Sequence, residues 1–150
     1  MKTTNQLFML VTIALLSFSN TSFGQAQERI ITLKCHINRL QENKDPYKVC
    51  KFEGQTETDT RQFTVTGNVG DSFVWKGEAY SGSDELDITK IKYEKGTKIF
   101  DEESIDGTKT VKAVAKFNTN GKDPYTYKIS FKINGKGRTY HIDPKVKIVQ

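Results

Sequence analysis

The stretch Tyr125-Thr126-Tyr127-Lys128-Ile129-Ser130-Phe131-Lys132-Ile133 runs into Asn134-Gly135-Lys136-Gly137 and then Arg138-Thr139-Tyr140-His141-Ile142. Odd positions up to Ile133 are aromatic or aliphatic and even positions are polar, the period-2 pattern of a strand with one buried face. The glycines that follow supply the positive φ a tight hairpin turn needs. Closing the hairpin there sets Phe131 opposite Tyr140 and Ile129 opposite Ile142. On the other face Ser130 then meets His141 and Lys128 meets Asp143. Buried and exposed sets agree across the turn, as a half-buried ribbon requires.

The same parity extends upstream. Val111, Ala113, Ala115 and Phe117 share one face of a further segment. Folding it back about the loop Asn118–Pro124 predicts Phe117 beside Tyr125, Ala115 beside Tyr127, Ala113 beside Ile129 and Val111 beside Phe131, with small residues opposing large ones. Arg29–Ile37 and Tyr47–Glu53 alternate, as do Gln62–Thr66 and Ser72–Ala79, where Phe73, Trp75 and Ala79 point inward and Lys76 and Glu78 outward. Leu86–Tyr93 starts on Leu86 and Ile88 and changes phase to Ile91 and Tyr93, which predicts a bulge near Thr89-Lys90. Turn signals separate the runs, at Gly67–Asp71, Ser81–Asp84, Lys95-Gly96, Asp106-Gly107 and Asn120-Gly121.

About seven to nine short strands with such turns indicate an all-β antiparallel sandwich, with a small β-barrel as the alternative. Trp75 on an early strand and Asp123-x-x-x-Tyr127 leading into a late one resemble immunoglobulin-like domains, where a tyrosine near a strand start forms a tyrosine corner. That resemblance implies architecture only. The family's inter-sheet cysteine pair has no counterpart, since both cysteines precede Trp75.

The chain has 150 residues, a formal net charge of +5 and 35% hydrophobic residues, which fits one domain. Lys2 precedes the apolar run Leu7–Leu16, and Ser22 and Gly24 stand at the −3 and −1 positions before Gln25. This is the order of a secretory signal peptide over residues 1–24, followed by one domain over 25–150. The run is shorter than the ~20 apolar residues that cross a bilayer. The expected location is therefore secreted or periplasmic, with no membrane insertion of the mature chain. Cleavage removes one lysine and no acid. Export favours oxidised thiols, and Cys35 and Cys50 both fall at inward positions, so a Cys35–Cys50 disulfide is expected.

The available chemistry is sparse. There is no Gly-x-Ser-x-Gly elbow, and His36 and His141 are read as outward strand residues with no burial to shift their titration. No catalytic residue is assigned. A nucleophile needs a base and an orienting group behind it. Blue copper needs two histidines, a thiolate and usually an axial methionine, and a chain cleaved at Gly24 keeps no methionine. Asp101–Gly107 gathers oxygen ligands but places Ile105 at an alternate position, and a solvated acidic turn is the default while calcium stays open. No metal or cofactor is expected. Four arginines and no exposed aromatic series argue against nucleic acid.

Two surfaces remain. Lys112, Lys116, Lys128 and Lys132 are outward, with Lys145 and Lys147 outward on the last segment and Thr126 and Ser130 beside them. If their strands are neighbours they form a positive ladder for a phosphorylated or sulfated glycan or an acidic protein. Lysines on outer strands also resist edge-to-edge aggregation. The segment Ala79-Tyr80-Ser81-Gly82-Ser83-Asp84-Glu85 resembles the protruding Ser-Gly loop of bacterial periplasmic lysozyme inhibitors, which implies that Ser81, Gly82 and Ser83 plug an enzyme cleft. Glu85 stands where that family has tyrosine, and Tyr93-Glu94-Lys95-Gly96 shortens its second element. The expected function is a non-enzymatic exported domain binding an unidentified protein or anionic glycan through loops or the lysine-rich face. The alternatives are a hydrolase inhibitor and a glycan-active enzyme built on paired carboxylates.

Overall fold

The computed structural model describes residues 25–42 and 44–149; the leader reading of residues 1–24 lies outside them. Among the described residues the chain forms two mixed sheets and no closed barrel. The strands are β1 (Glu28–Cys35), β2 (Cys50–Phe52), β3 (Thr64–Gly67), β4 (Ser72–Ala79), β5 (Leu86–Lys95), β6 (Ser104–Asp106), β7 (Val111–Val114), β8 (Tyr125–Ile133), β9 (Lys136–Ile142) and β10 (Lys145–Ile148). One sheet runs β2-β1-β4-β7; the other runs β3-β10-β8-β5-β6, with β9 also on β8.

The β8–β9 hairpin has the register read from parity: Ile129 opposite Ile142, Ser130 opposite His141 and Phe131 opposite Tyr140. Asn134 and Gly135 turn it with φ of 49° and 63°. β10 continues along the same edge of β8 beyond Pro144, whose carbonyl accepts from the Tyr127 amide. β5 covers the other edge of β8 and carries the expected bulge, a register shift between Ile88 and Lys90.

Four expectations are corrected. β7 does not pair with β8; it lies on β4 in the other sheet, with Ala113 opposite Phe73 and Val111 opposite Trp75. The small-against-large rule is satisfied there instead. The loop after β7 crosses between sheets, held by Thr119, whose hydroxyl donates to Ile148 O and accepts from Ile148 N. Phe117, expected inside, is 54% exposed. Second, two strand pairs are parallel, β1 with β4 and β3 with β10. Third, Ile37–Gln41 and Pro46–Val49 are short helices, α1 and α2, which take in Ile37 and Tyr47–Val49 at the ends of the two alternating runs. Pro46 sits at the first turn behind an Asp45 side chain that accepts from the Tyr47 amide, a standard helix start. Fourth, the turn signal at Ser81–Asp84 does not join paired strands, since β4 and β5 belong to different sheets.

Between the sheets, Phe73, Trp75, Phe100, Tyr125 and Tyr127 form one aromatic cluster, with Trp75 and Phe100 edge to face at 5.8 Å. Burying each such side chain contributes about 1.5–3 kcal/mol relative to leaving it exposed. Tyr127 makes no tyrosine corner: its hydroxyl accepts from Trp75 Nε1 at 2.8 Å, across the core. Cys35 and Cys50 face each other on β1 and β2 and are joined by a disulfide with an S–S distance of 2.04 Å, closing the loop that holds both helices. Among the described residues no helix is long and apolar enough to cross a membrane.

Candidate lysine face and groove

Because β5, β8 and β10 lie side by side with their apolar residues turned to the core, their alternate residues share the outer face of the six-stranded sheet. Lys90, Lys92 and Lys95 come from β5, Lys128 and Lys132 from β8, and Lys145 and Lys147 from β10. The ladder sets Lys92 beside Lys128 and Lys95 beside Thr126, with Lys145 on the far side of Thr126. Lys128 is paired with Glu94 at 3.0 Å and Lys90 with Asp106 at 3.1 Å. The Glu94 carboxylate holds the Lys128 ammonium above its ordinary value. Lys92, Lys95, Lys132, Lys145 and Lys147 make no ion pair among the described residues. A row of unneutralised ammoniums on one face sustains a positive potential that attracts anions.

At the β10 end this face folds into a groove of about 580 Å³, bounded by Arg61, Gln62, Glu94, Lys95, Asp143 and Lys145. It adjoins a hollow of about 300 Å³ reaching Gly96, Asp123 and Pro124, and Lys95, Thr126 and Lys145 border both. One wall is rigid. The Arg61 guanidinium lies 3.9 Å over the Tyr47 ring and pairs with Asp59 at 3.2 Å. The Tyr47 hydroxyl donates to Asp143 Oδ2 at 2.9 Å, and burial, then this carboxylate, push its pKa up to about 12. Gly96 is required at the hollow: its φ is +89°, and a Cβ would sit 1.9 Å from Pro124 O.

The four lysines named from sequence are therefore not one ladder. Lys128 and Lys132 lie on this face, whereas Lys112 is on β7 in the other sheet, paired with Glu28 at 3.0 Å, and Lys116 is exposed just beyond it. The ladder expectation assumed that β7 and β8 were neighbours. Lys90, Lys92, Lys95 and Arg61 were missed. For the β5 lysines the signal was present, because carrying parity through the bulge turns Lys90 and Lys92 outward.

Ser81, Gly82 and Ser83 are exposed between the sheets, with Gly82 at φ +92°. Asn134 latches the loop's far end, its amide donating to Asp84 Oδ1 at 2.7 Å and its carbonyl accepting from the Glu85 amide at 2.8 Å. His36 follows β1, precedes α1 and stacks on Tyr80 at 4.3 Å; His141 is on β9, which is not a neighbour of β1, so the adjacent strands a shared metal would need are not found among the described residues. Ser130 is not a wet-face residue but 7% exposed, its hydroxyl 3.0 Å from His141 Nδ1. Burial, then Lys128, lower the His141 pKa, with Asp143 opposing, which corrects the expectation of an unshifted histidine. Among the described residues no carboxylate hydrogen-bonds this Ser-His pair: Asp143 Oδ2 accepts from Tyr47 and its Oδ1 is buried without a partner. Within Asp101–Gly107, Ser104–Asp106 is strand β6, and Glu103 and Asp106 pair with Lys98 and Lys90. Among the described residues no three His, Cys, Asp or Glu side chains are grouped to hold a metal.

No family model matches the chain, and no curated protein matches it. Among solved structures it is similar to the inclusion body protein PixA from Burkholderia cenocepacia, at a TM-score of 0.58 and 14% identity, covering 83% of this chain and 96% of that one. It overlaps more loosely with Fet3p, a multicopper oxidase that functions in iron import, at a TM-score of 0.38 and 8% identity, over 81% of this chain and 27% of that one. The first of these likenesses shows a shared fold and nothing more.

Proposed function

We propose that this chain is an exported, non-catalytic β-domain that binds an anionic partner, an acidic glycan or an acidic protein surface, through the outer face of its six-stranded sheet. The observation that carries the reading is the seven lysines gathered there from β5, β8 and β10, five of them without an ion pair among the described residues. A sheet that needed only protection from aggregation would be served by lysines on its outermost strands. Here they concentrate on β8 and its two neighbours, in the middle of the sheet. A fold shared with a protein named for inclusion bodies, a designation that carries no reaction, agrees with a binding role. Export rests on the leader pattern and is supported by the Cys35–Cys50 disulfide.

Heparin is a suitable probe. It should raise the melting temperature of the domain at low salt and lose that effect at high salt, because exposed charges are screened within about 8 Å at physiological ionic strength. Lys92→Gln with Lys147→Gln should weaken binding about tenfold, while Lys112→Gln with Lys116→Gln on the opposite sheet leaves it unchanged. Equal losses from the two pairs would overturn the assignment of the face. For export, the processed protein recovered from the secreting cell should begin at Gln25.

A further inference from the structure

We infer that the groove beside β10 is a subsite for one acidic pyranose, a sugar ring carrying a single carboxylate or sulfate, within a longer glycan. This rests on the anion-binding reading of the face and names the chemistry its concave end selects. Its volume, about 580 Å³ with a further 300 Å³ alongside, lies in the range of small-molecule sites. Lys95 and Lys145 sit on either side of Thr126, one strand spacing away on each flank, and neither ammonium is neutralised among the described residues. They form a clamp for one anionic group with a hydroxyl between them.

The rest of the lining selects against other anions. Asp59, Glu94, Asp123 and Asp143 all border the groove or the hollow. Four carboxylates repel a dense polyanion such as a phosphate chain, but they accept hydrogen bonds from sugar hydroxyls. Asp123 and Gln62 have no side-chain hydrogen bond among the described residues, so their acceptor and donor capacity is unspent. Among the described residues no aromatic side chain lines the groove or the hollow, and the Tyr47 ring beside Arg61 carries its guanidinium, so the lining offers no platform for stacking a base or the apolar face of a neutral sugar. One unneutralised cation pair plus spare hydroxyl partners matches a ring that is both acidic and polyhydroxylated.

The test compares an oligoglucuronate, inorganic tripolyphosphate and neutral dextran in titrations of the whole mature domain. Oligoglucuronate should bind, dextran should not, and tripolyphosphate should bind at least tenfold more weakly. Lys95→Gln and Lys145→Gln should each reduce oligoglucuronate affinity about tenfold. Asp123→Ala, at an exposed position, should weaken oligoglucuronate several-fold while strengthening tripolyphosphate, a pair of opposite shifts that misfolding cannot produce. Tighter binding of tripolyphosphate, or an Asp123→Ala change of the same sign for both probes, would overturn the subsite. If heparin binding survives Lys95→Gln and Lys145→Gln but fails in the Lys92→Gln, Lys147→Gln pair, the subsite falls and the face stands. If no polyanion binds, both fall.

Discussion

The indole Nε1 of Trp75 donates a 2.8 Å hydrogen bond to the hydroxyl of Tyr127, tying the two sheets together through the centre of the core. Both residues are fully buried, and burial raises the Tyr127 pKa above its ordinary value. Tyr127→Phe keeps the ring and removes the acceptor, stranding an indole N–H with no water to satisfy it. Denaturant unfolding should show a loss of about 1–3 kcal/mol. Adding Trp75→Phe should cost less than a second independent loss, because the stranded donor is gone. Strict additivity of the two changes would show that the bond contributes nothing.

The Cys35–Cys50 bridge closes a loop with a sequence separation of 15 around α1 and α2. A loop of that length restricts the unfolded chain by about 3 kcal/mol. Cys35→Ala with Cys50→Ala should lower stability by roughly that amount, and reductant should shift the parent protein but not the variant. The loop meets the groove end of the outer face through Tyr47, but the lysines of that face come from β5, β8 and β10 outside it, so heparin affinity should change less than about twofold when measured well below the variant's unfolding midpoint.

Asp71 is 1% exposed and gathers three donors: the amides of Gln27 at 2.8 Å and Asn68 at 3.0 Å, and Arg29 Nε at 2.9 Å. Burial alone would raise its pKa, but these donors outweigh it and hold the carboxyl below its ordinary value. A depressed carboxyl contributes stability above its unfolded pKa and loses it as pH falls through the folded one. The stability this group contributes should therefore decline as pH falls below its ordinary value of 3.8. Asp71→Ala should be less stable by about 2 kcal/mol at neutral pH, since it leaves two amides and Arg29 unpaired. Its acid unfolding curve should also lose the component contributed by this group. An acid profile identical in shape to the parent's would rule out Asp71 as its source.

Parity told which side of a strand is buried: on β8 Tyr125, Tyr127, Ile129 and Phe131 are all at most 1% exposed, while Ser130, read as outward, is 7% exposed. It even located the bulge at Thr89. Parity carries no information about which strand is the neighbour. Ala113 fits beside Phe73 as well as beside Ile129, and only the crossover tied down by Thr119 decides between them. Strand direction is equally invisible, so the parallel β3–β10 pair was not foreseen. That pair is what carries Arg61 and Gln62 to Lys145, and without it the groove has no far wall. The helices of Ile37–Gln41 and Pro46–Val49 are too short for a 3.6-residue period to register. Their trace was the Asp45-Pro46 start signal.

His141 gives the face a pH response of known sign. Its imidazole lies 3.0 Å from the Ser130 hydroxyl, with Lys128 lowering its pKa after burial and Asp143 opposing, and Lys90 stands opposite Ser130 on β5. Because the folded pKa lies below the ordinary 6.5, the unfolded chain takes up a proton first as pH falls. Stability from this group is therefore unaffected above pH 6.5 and declines below it, down to the folded pKa. His141→Gln retains a hydrogen-bonding side chain but cannot titrate. Subtracting its melting temperatures from the parent's should give a line that is flat from pH 8 to 6.5 and falls between 6.5 and 5. Lys128→Gln removes the nearest cation and should reduce that fall. A difference that stays level down to pH 5 would mean that His141 titrates as it does in the unfolded chain, and that its contact with Ser130 holds no preference for the neutral ring.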